Sequence, residues 1–134
     1  METLEWSADI LMKTLLIKSG KVSEVEITPG DLDTFYKHIG CTTMDSGGRL
    51  DEFHMCYVDD ESWLKDQKTT MTRVNWRTDM GLIGNILVVG IDAAGETIPA
   101  MLNVREVEGM IEGCMDIEIY DGAIIGAVDI DLDA

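Results

Sequence analysis

The segment KTLLIKSGKVSEVEITPGDLDTFYKHIG, residues 13–40, decides the fold class because its periodicity changes part-way along. Lys13 to Ile17 and Val22 to Ile27 are extended runs on either side of Ser19-Gly20. Glu24 and Glu26 alternate with Val25 and Ile27, so this half predicts a β-hairpin whose second strand is half-buried. After Thr28 the period lengthens. Leu32, Phe35, Tyr36 and Ile39 follow the i, i+3, i+4, i+7 spacing of one buried helical stripe. Thr28 is placed to cap that helix, Pro29 suits its first position, and Asp31 sits near the positive end of its dipole. Gly40 supplies a left-handed stop.

Working outward, residues 41–46 and 53–58 predict two further strands about the turn-rich SGGRLDE. Residues 61–80 are polar, carry Trp63 and Trp76, show neither period, and predict a long loop with a helical turn. The run NILVVGI, residues 85–91, has the continuous apolar character of a central strand. Asn103 with Glu106 three residues on predicts a capping box opening a second helix. Val104, Val107 and Ile111 would face inward, Arg105, Glu106, Glu108 and Glu112 outward, and Gly113 would end it. MDIEIYDGAIIGAVDI, residues 115–130, predicts a hairpin about Asp121-Gly122. A two-residue turn would put Met115, Ile117 and Ile119 on one face with Ile124, Gly126 and Val128. Asp116, Glu118 and Asp129 would share the other. Residues 3–12 read as a short N-terminal helix or arm. Together these elements predict one α+β domain over residues 1–134, a mostly antiparallel sheet with two main helices and a C-terminal β-hairpin.

Charge narrows the partner. The 134 residues hold 26 Asp+Glu against 10 Lys+Arg, a net of −16. Residues 81–134 alone carry eleven acids and one base, Arg105, whereas residues 1–40 and 41–80 each carry a net of −3. Such a chain repels nucleic-acid phosphates and anionic lipid, so neither is expected as a direct partner. The acids could form a solvated face, hold a metal, or imitate a phosphate backbone toward a cationic protein surface. The last reading names Glu106, Glu108, Glu112, Asp116, Glu118 and Asp129 as partner contacts. A second reading is a nucleotide-binding module walled by residues 61–80, with Arg73, Arg77 or Lys68 receiving phosphates. A third is an accessory protein that forms homo-oligomers through its strand edges.

Catalytic signatures give little. There is no phosphate-binding glycine loop, no zinc-protease helix motif and no nucleophile elbow. His38 near a helix end reads as a dipole contact, and His54 with Cys56 two residues on is the one Cys–His pair that a strand would set on one face. Asp59-Asp60-Glu61 reads as strand-end turn chemistry ahead of a cation site. No enzyme activity, cofactor or metal is expected. Three cysteines at no metal-ligand spacing, and an amino-terminal stretch METLEWSADILMK without a basic lead or a long apolar run, point to a cytoplasmic protein.

The succession KTLLIKSGKVSEVEITPGDLDTFYKHIGCTTMD, FHMCYVDDESWLK and IGNILVVGIDAAGETIPAM resembles a family of uncharacterised proteins from phages and mobile elements. Ile39-Gly40-Cys41, Val58-Asp59-Asp60-Glu61 and Gly84-Asn85-Ile86 carry the likeness, which spans roughly residues 13–112; Ser62 stands where that pattern leads one to expect a glycine. The resemblance implies a source and no catalytic residues. With the size and charge, it leads to the expectation of a non-enzymatic inhibitor of a host defence protein, of the DNA-mimicking anti-CRISPR or anti-restriction kind, acting in the host cytoplasm.

Overall fold

The computed structural model describes residues 11–74 and 81–132. Among the described residues ten strands, all paired antiparallel, build two sheets. The first contains β1 (Met12–Lys18), β2 (Lys21–Ile27), β3 (Met44–Asp51), β4 (His54–Asp59) and β7 (Ile86–Ile91) in the order β2-β1-β7-β4-β3, with β8 (Thr97–Ile98) continuing beside β7. The second contains β5 (Gln67–Val74), β6 (Leu82–Ile83), β9 (Ile111–Tyr120) and β10 (Ala123–Asp129) in the order β10-β9-β5-β6. The helices are α1 (Leu32–Ile39) and α2 (Val104–Glu108).

All six residues of β7 are buried, as its unbroken apolar run requires of a strand covered on both faces. Leu87 and Val89 point to one side, into a cluster with Leu16, Ile27 and the α1 residues Phe35 and Ile39. Ile86 and Val88 point to the other, into a cluster with Leu15, Ile17, Leu50 and Cys56 that also takes in Val107 of α2 and Val74 of β5. One face of the first sheet is thus roofed by α1, the other by α2 and the second sheet.

The α1 helix forms as its sequence demands, one turn late. Asp31, not Thr28, is the N-cap, its carboxylate accepting from the Asp33 N–H at 3.1 Å. Thr28-Pro29-Gly30 makes the preceding turn, closed by the Asp31 N–H to the Thr28 carbonyl at 3.0 Å. Gly40 ends the helix at φ 81°, as expected. The buried stripe narrows to Phe35 and Ile39, and Leu32 is half exposed.

The α+β expectation with two main helices is overturned: among the described residues, 54% are in strands and 14% in helices. Two segments account for the difference. The Asn103–Glu106 capping box forms with both hydrogen bonds, yet α2 lasts five residues, ends at Gly109, and gives way to the ten-residue strand β9. Residues 61–80 are not one long loop. After a single 3-10 turn at Ser62–Leu64, β5 begins at Gln67 and buries Thr70, Thr72 and Val74 on one face. Its inward residues are mostly threonines, so its alternation is one of shape and not of hydrophobicity. Likewise most of SGGRLDE lies within β3, and the turn falls at Glu52-Phe53. Of residues 3–12, read as a helix or arm, Met12 opens β1, and 3–10 lie outside the described residues.

Where β8 crosses β7 the backbones meet at Gly90, opposite Ile98. A Cβ there would stand 2.4 Å from the Pro99 carbonyl oxygen and 3.1 Å from that of Ile98, and backbone cannot swing aside. Gly90→Ala is expected to cost at least about 1–3 kcal/mol, the range for overpacking a tight interior. Urea denaturation of the two proteins checks this, and an unchanged midpoint would contradict it.

Candidate partner-binding face

Both predicted hairpin turns form. Ser19-Gly20 and Asp121-Gly122 each have two successive positive φ values, 53° and 78° in the first and 53° and 79° in the second. That is the type I′ geometry whose twist suits a two-residue hairpin. The Ser19-Gly20 tip lies against the second sheet, where a Cβ on Gly20 would come within 2.4 Å of the Leu132 side chain and 3.3 Å of that of Cys114. The Ile130 N–H donates to the Cys114 carbonyl at 2.9 Å and carries the β9–β10 pairing one residue further.

Two hollows flank this tip. The first, about 530 Å³, lies over β5, β9 and β10, with Ser19 on its wall and Lys68, Thr70, Asp116, Glu118, Gly126 and Val128 among its lining. The second, about 580 Å³, has Gly20 on its wall and is lined by Glu108, Ile111, Glu112, Ile130, Asp131 and Leu132. Of the six acids expected at a partner surface, Glu108 and Glu112 line one hollow and Asp116 and Glu118 the other.

Two of the six do not join them. Glu106 is spent on the capping box, where its carboxylate accepts from the Asn103 N–H at 2.9 Å. Asp129 is on the wrong face. The β9–β10 register runs Ile124 to Ile119 and then Gly126 to Glu118, leaving Ile125 as an extra residue. Beyond that bulge every side chain of β10 changes sides relative to a regular hairpin. Val128 therefore lies opposite Asp116, and Asp129 lies opposite Met115. A regular two-residue hairpin, which the sequence motif predicts, cannot foresee the bulge.

The rim is not uniformly negative. Lys18 and Lys21 pair in register at the base of the tip. Lys68 lies opposite Glu118 in the β5–β9 register. Arg73 Nη2 is 3.8 Å from the Glu112 carboxylate, an exposed pair worth little. Asp116 and Glu118 are exposed, and among the described residues neither makes a side-chain hydrogen bond or an ion pair.

The phosphate-binding alternative fares worse. Lys68 and Arg73 differ in parity along β5 and so point to opposite faces, and Lys68 shares its hollow with two carboxylates. Arg77 lies outside the described residues.

The Cys–His pairing is occupied with structure. His54 is buried, and its Nδ1–H donates to Asp51 Oδ1 at 2.8 Å. Its Nε2 accepts from the Met101 N–H at 3.0 Å and the Leu102 N–H at 3.4 Å. That arrangement fixes a neutral tautomer and leaves no lone pair to take a proton from a thiol. Cys56 is buried, and desolvation, with a lesser push from Asp51, raises its thiol to about 12. Cys41 is raised too, by burial and then by Asp59. The Asp59-Asp60-Glu61 turn is likewise internally satisfied: Asp59 Oδ1 accepts from the Glu61 N–H at 2.9 Å and Oδ2 pairs with Lys65. Among the described residues no group of acids, histidines and cysteines could hold a metal ion, and no helix is long and apolar enough to cross a membrane.

The family model described as a domain of unknown function, DUF3846, matches residues 12–120. The chain belongs to this family. The matched span runs from the first residue of β1 to the last of β9, so the DUF3846 match covers both sheets but not β10. No curated protein and no solved structure matches the chain.

The Cys56 thiol carries a pH dependence. Unfolded, it releases its proton near 9.0, whereas in the folded protein it holds it to about 12. Its contribution to stability is therefore complete below pH 9 and is lost as pH rises from 9 toward 12. Denaturant midpoints of the native protein should fall more steeply over this range than those of Cys56→Ala, and parallel curves would contradict the assignment.

Proposed function

We propose that the protein is a non-enzymatic binding module whose acidic C-terminal half docks a cationic surface on another protein. The preferred target is a basic nucleic-acid-binding site, as for a phage- or mobile-element inhibitor of a host defence nuclease acting in the cytoplasm. The observation that carries this reading is the placing of Glu108, Glu112, Asp116 and Glu118 in two hollows about the Ser19-Gly20 tip. Holding carboxylates close together costs folding energy through mutual repulsion, and a cationic partner offsets that cost. The gain lies mostly in association rate and long-range attraction, so the complex should weaken as salt rises.

The test is competition with duplex DNA for purified DNA-binding nucleases at low and high salt. Reversing Glu112, Asp116 and Glu118 to Lys should weaken the complex about tenfold or more, as expected for charges at a docking face. Reversing Glu24, Glu26 and Asp33 should change it little. Equal losses from the two triple variants, or binding that DNA does not displace, would reject the reading.

A further inference from the structure

Strand β10 is an open edge. It stands last in its sheet, and among the described residues no strand pairs with its outer side. All seven of its residues are exposed, including Ile125 at 60% and Val128 at 68%. Natural sheets blunt such edges with lysine, proline or a bulge. AIIGAVD has neither lysine nor proline, and its bulge at Ile125 sits next to the hairpin turn. Gly126 to Asp129 remain regularly paired on the inner side and unpaired on the outer.

The sheet face behind this edge is ordered in rows. Lys68, Glu118 and Gly126 lie across from one another, and Thr70, Asp116 and Val128 form the next row. The floor of the first hollow is made of these two rows. Gly126 leaves a gap in the first row, with nothing within 4 Å of where its Cβ would be. A strand added beyond β10 would lie two strand spacings, roughly 10 Å, from β9. A long basic side chain opposite Gly126 would then cross the gap and meet the Glu118 carboxylate. Two residues along, the added strand would place a side chain beside Val128.

We infer that β10 is completed by an extended segment of a partner protein bearing an arginine or lysine with an apolar residue two positions away. The arginine or lysine pairs with Glu118 across Gly126, and the apolar residue packs on Val128. This deepens the acidic docking reading above and rests on it. Charge selects the occupant. A second copy, itself at −16 and with no lysine or arginine in Ala123–Asp129, brings no cation to Glu118, whereas a basic strand does.

The test uses the full chain and an end-blocked ten-residue peptide. Threonine occupies every other position of the peptide, and arginine and valine alternate between them. Binding is followed by fluorescence anisotropy. Expected is saturable binding that falls about tenfold or more when alternate backbone nitrogens of the peptide are methylated, since main-chain hydrogen bonds supply the affinity in strand addition. A similar loss is expected for Gly126→Thr, which fills the gap at a position that has open space and no positive φ, and for Glu118→Gln. Thermal melts of both variants confirm that they fold. Binding indifferent to N-methylation and to Gly126→Thr would overturn strand addition and leave acidic docking standing. No binding to this peptide or to polylysine would overturn both. A protein that sediments alone as a dimer, and as a monomer once Val128→Lys is made, would assign the edge to a second copy and overturn the inference.

Discussion

Everything in this molecule is arranged around the two-sided burial of β7. A strand apolar at six consecutive positions cannot leave either face to water, and the chain supplies two different covers. The α1 helix closes one side with Phe35 and Ile39. On the other side the cover is shared between α2 and a whole second sheet, which contributes Val74, Leu82 and Ile111 to the same cluster as Leu15 and Val88. The second sheet also meets the Ser19-Gly20 tip of the β1–β2 hairpin at Cys114, and Asp116 and Glu118 follow on β9 beyond that contact. The two acidic hollows lie on either side of that tip, one over β5, β9 and β10 and the other between α2, the start of β9 and residues 130–132.

The same arrangement explains why so negative a chain folds. Its acids are not all in one place. Asp92 caps the β7–β8 turn by accepting from the Ala94 and Glu96 N–H groups, each at 2.9 Å, and Asp66 accepts from the Asp121 N–H at 2.9 Å. Asp51 holds His54, and Glu106 holds α2. Carboxylates that accept backbone hydrogen bonds or face a histidine act as structural acceptors. Among the described residues, Asp116 and Glu118 on β9 have no such structural duty and stay exposed.

Much of this was legible in the residues. The Ser19-Gly20 and Asp121-Gly122 turns, the Asn103–Glu106 box, the Gly40 stop and the central strand were all readable, because each depends on local chemistry at a fixed spacing. The failures share a cause. Strand β5 hid because Thr70 and Thr72 bury as threonines, with the Thr72 hydroxyl 3.4 Å from the Cys114 sulfur, and a hydropathy pattern does not register a polar side chain turned inward. The second helix was overextended because Ile111, which continued its apolar spacing, belongs to the strand that follows. Of the six acids chosen from charge density, four line the two hollows. Glu106 was lost to a cap that the sequence itself announced, and Asp129 to a bulge that no short motif encodes.

That bulge has the character of a reading-frame shift written in side chains. A single residue, Ile125, swaps the two sides of everything after it in β10 without altering composition, net charge or the number of strands. Were Ile125 paired with Glu118 as in a regular hairpin, Ala127 in place of Val128 would lie opposite Asp116, and Asp129 would turn to that carboxylate's face. A valine beside Asp116 would give way to an alanine, and another carboxylate would join that face, with no change in composition.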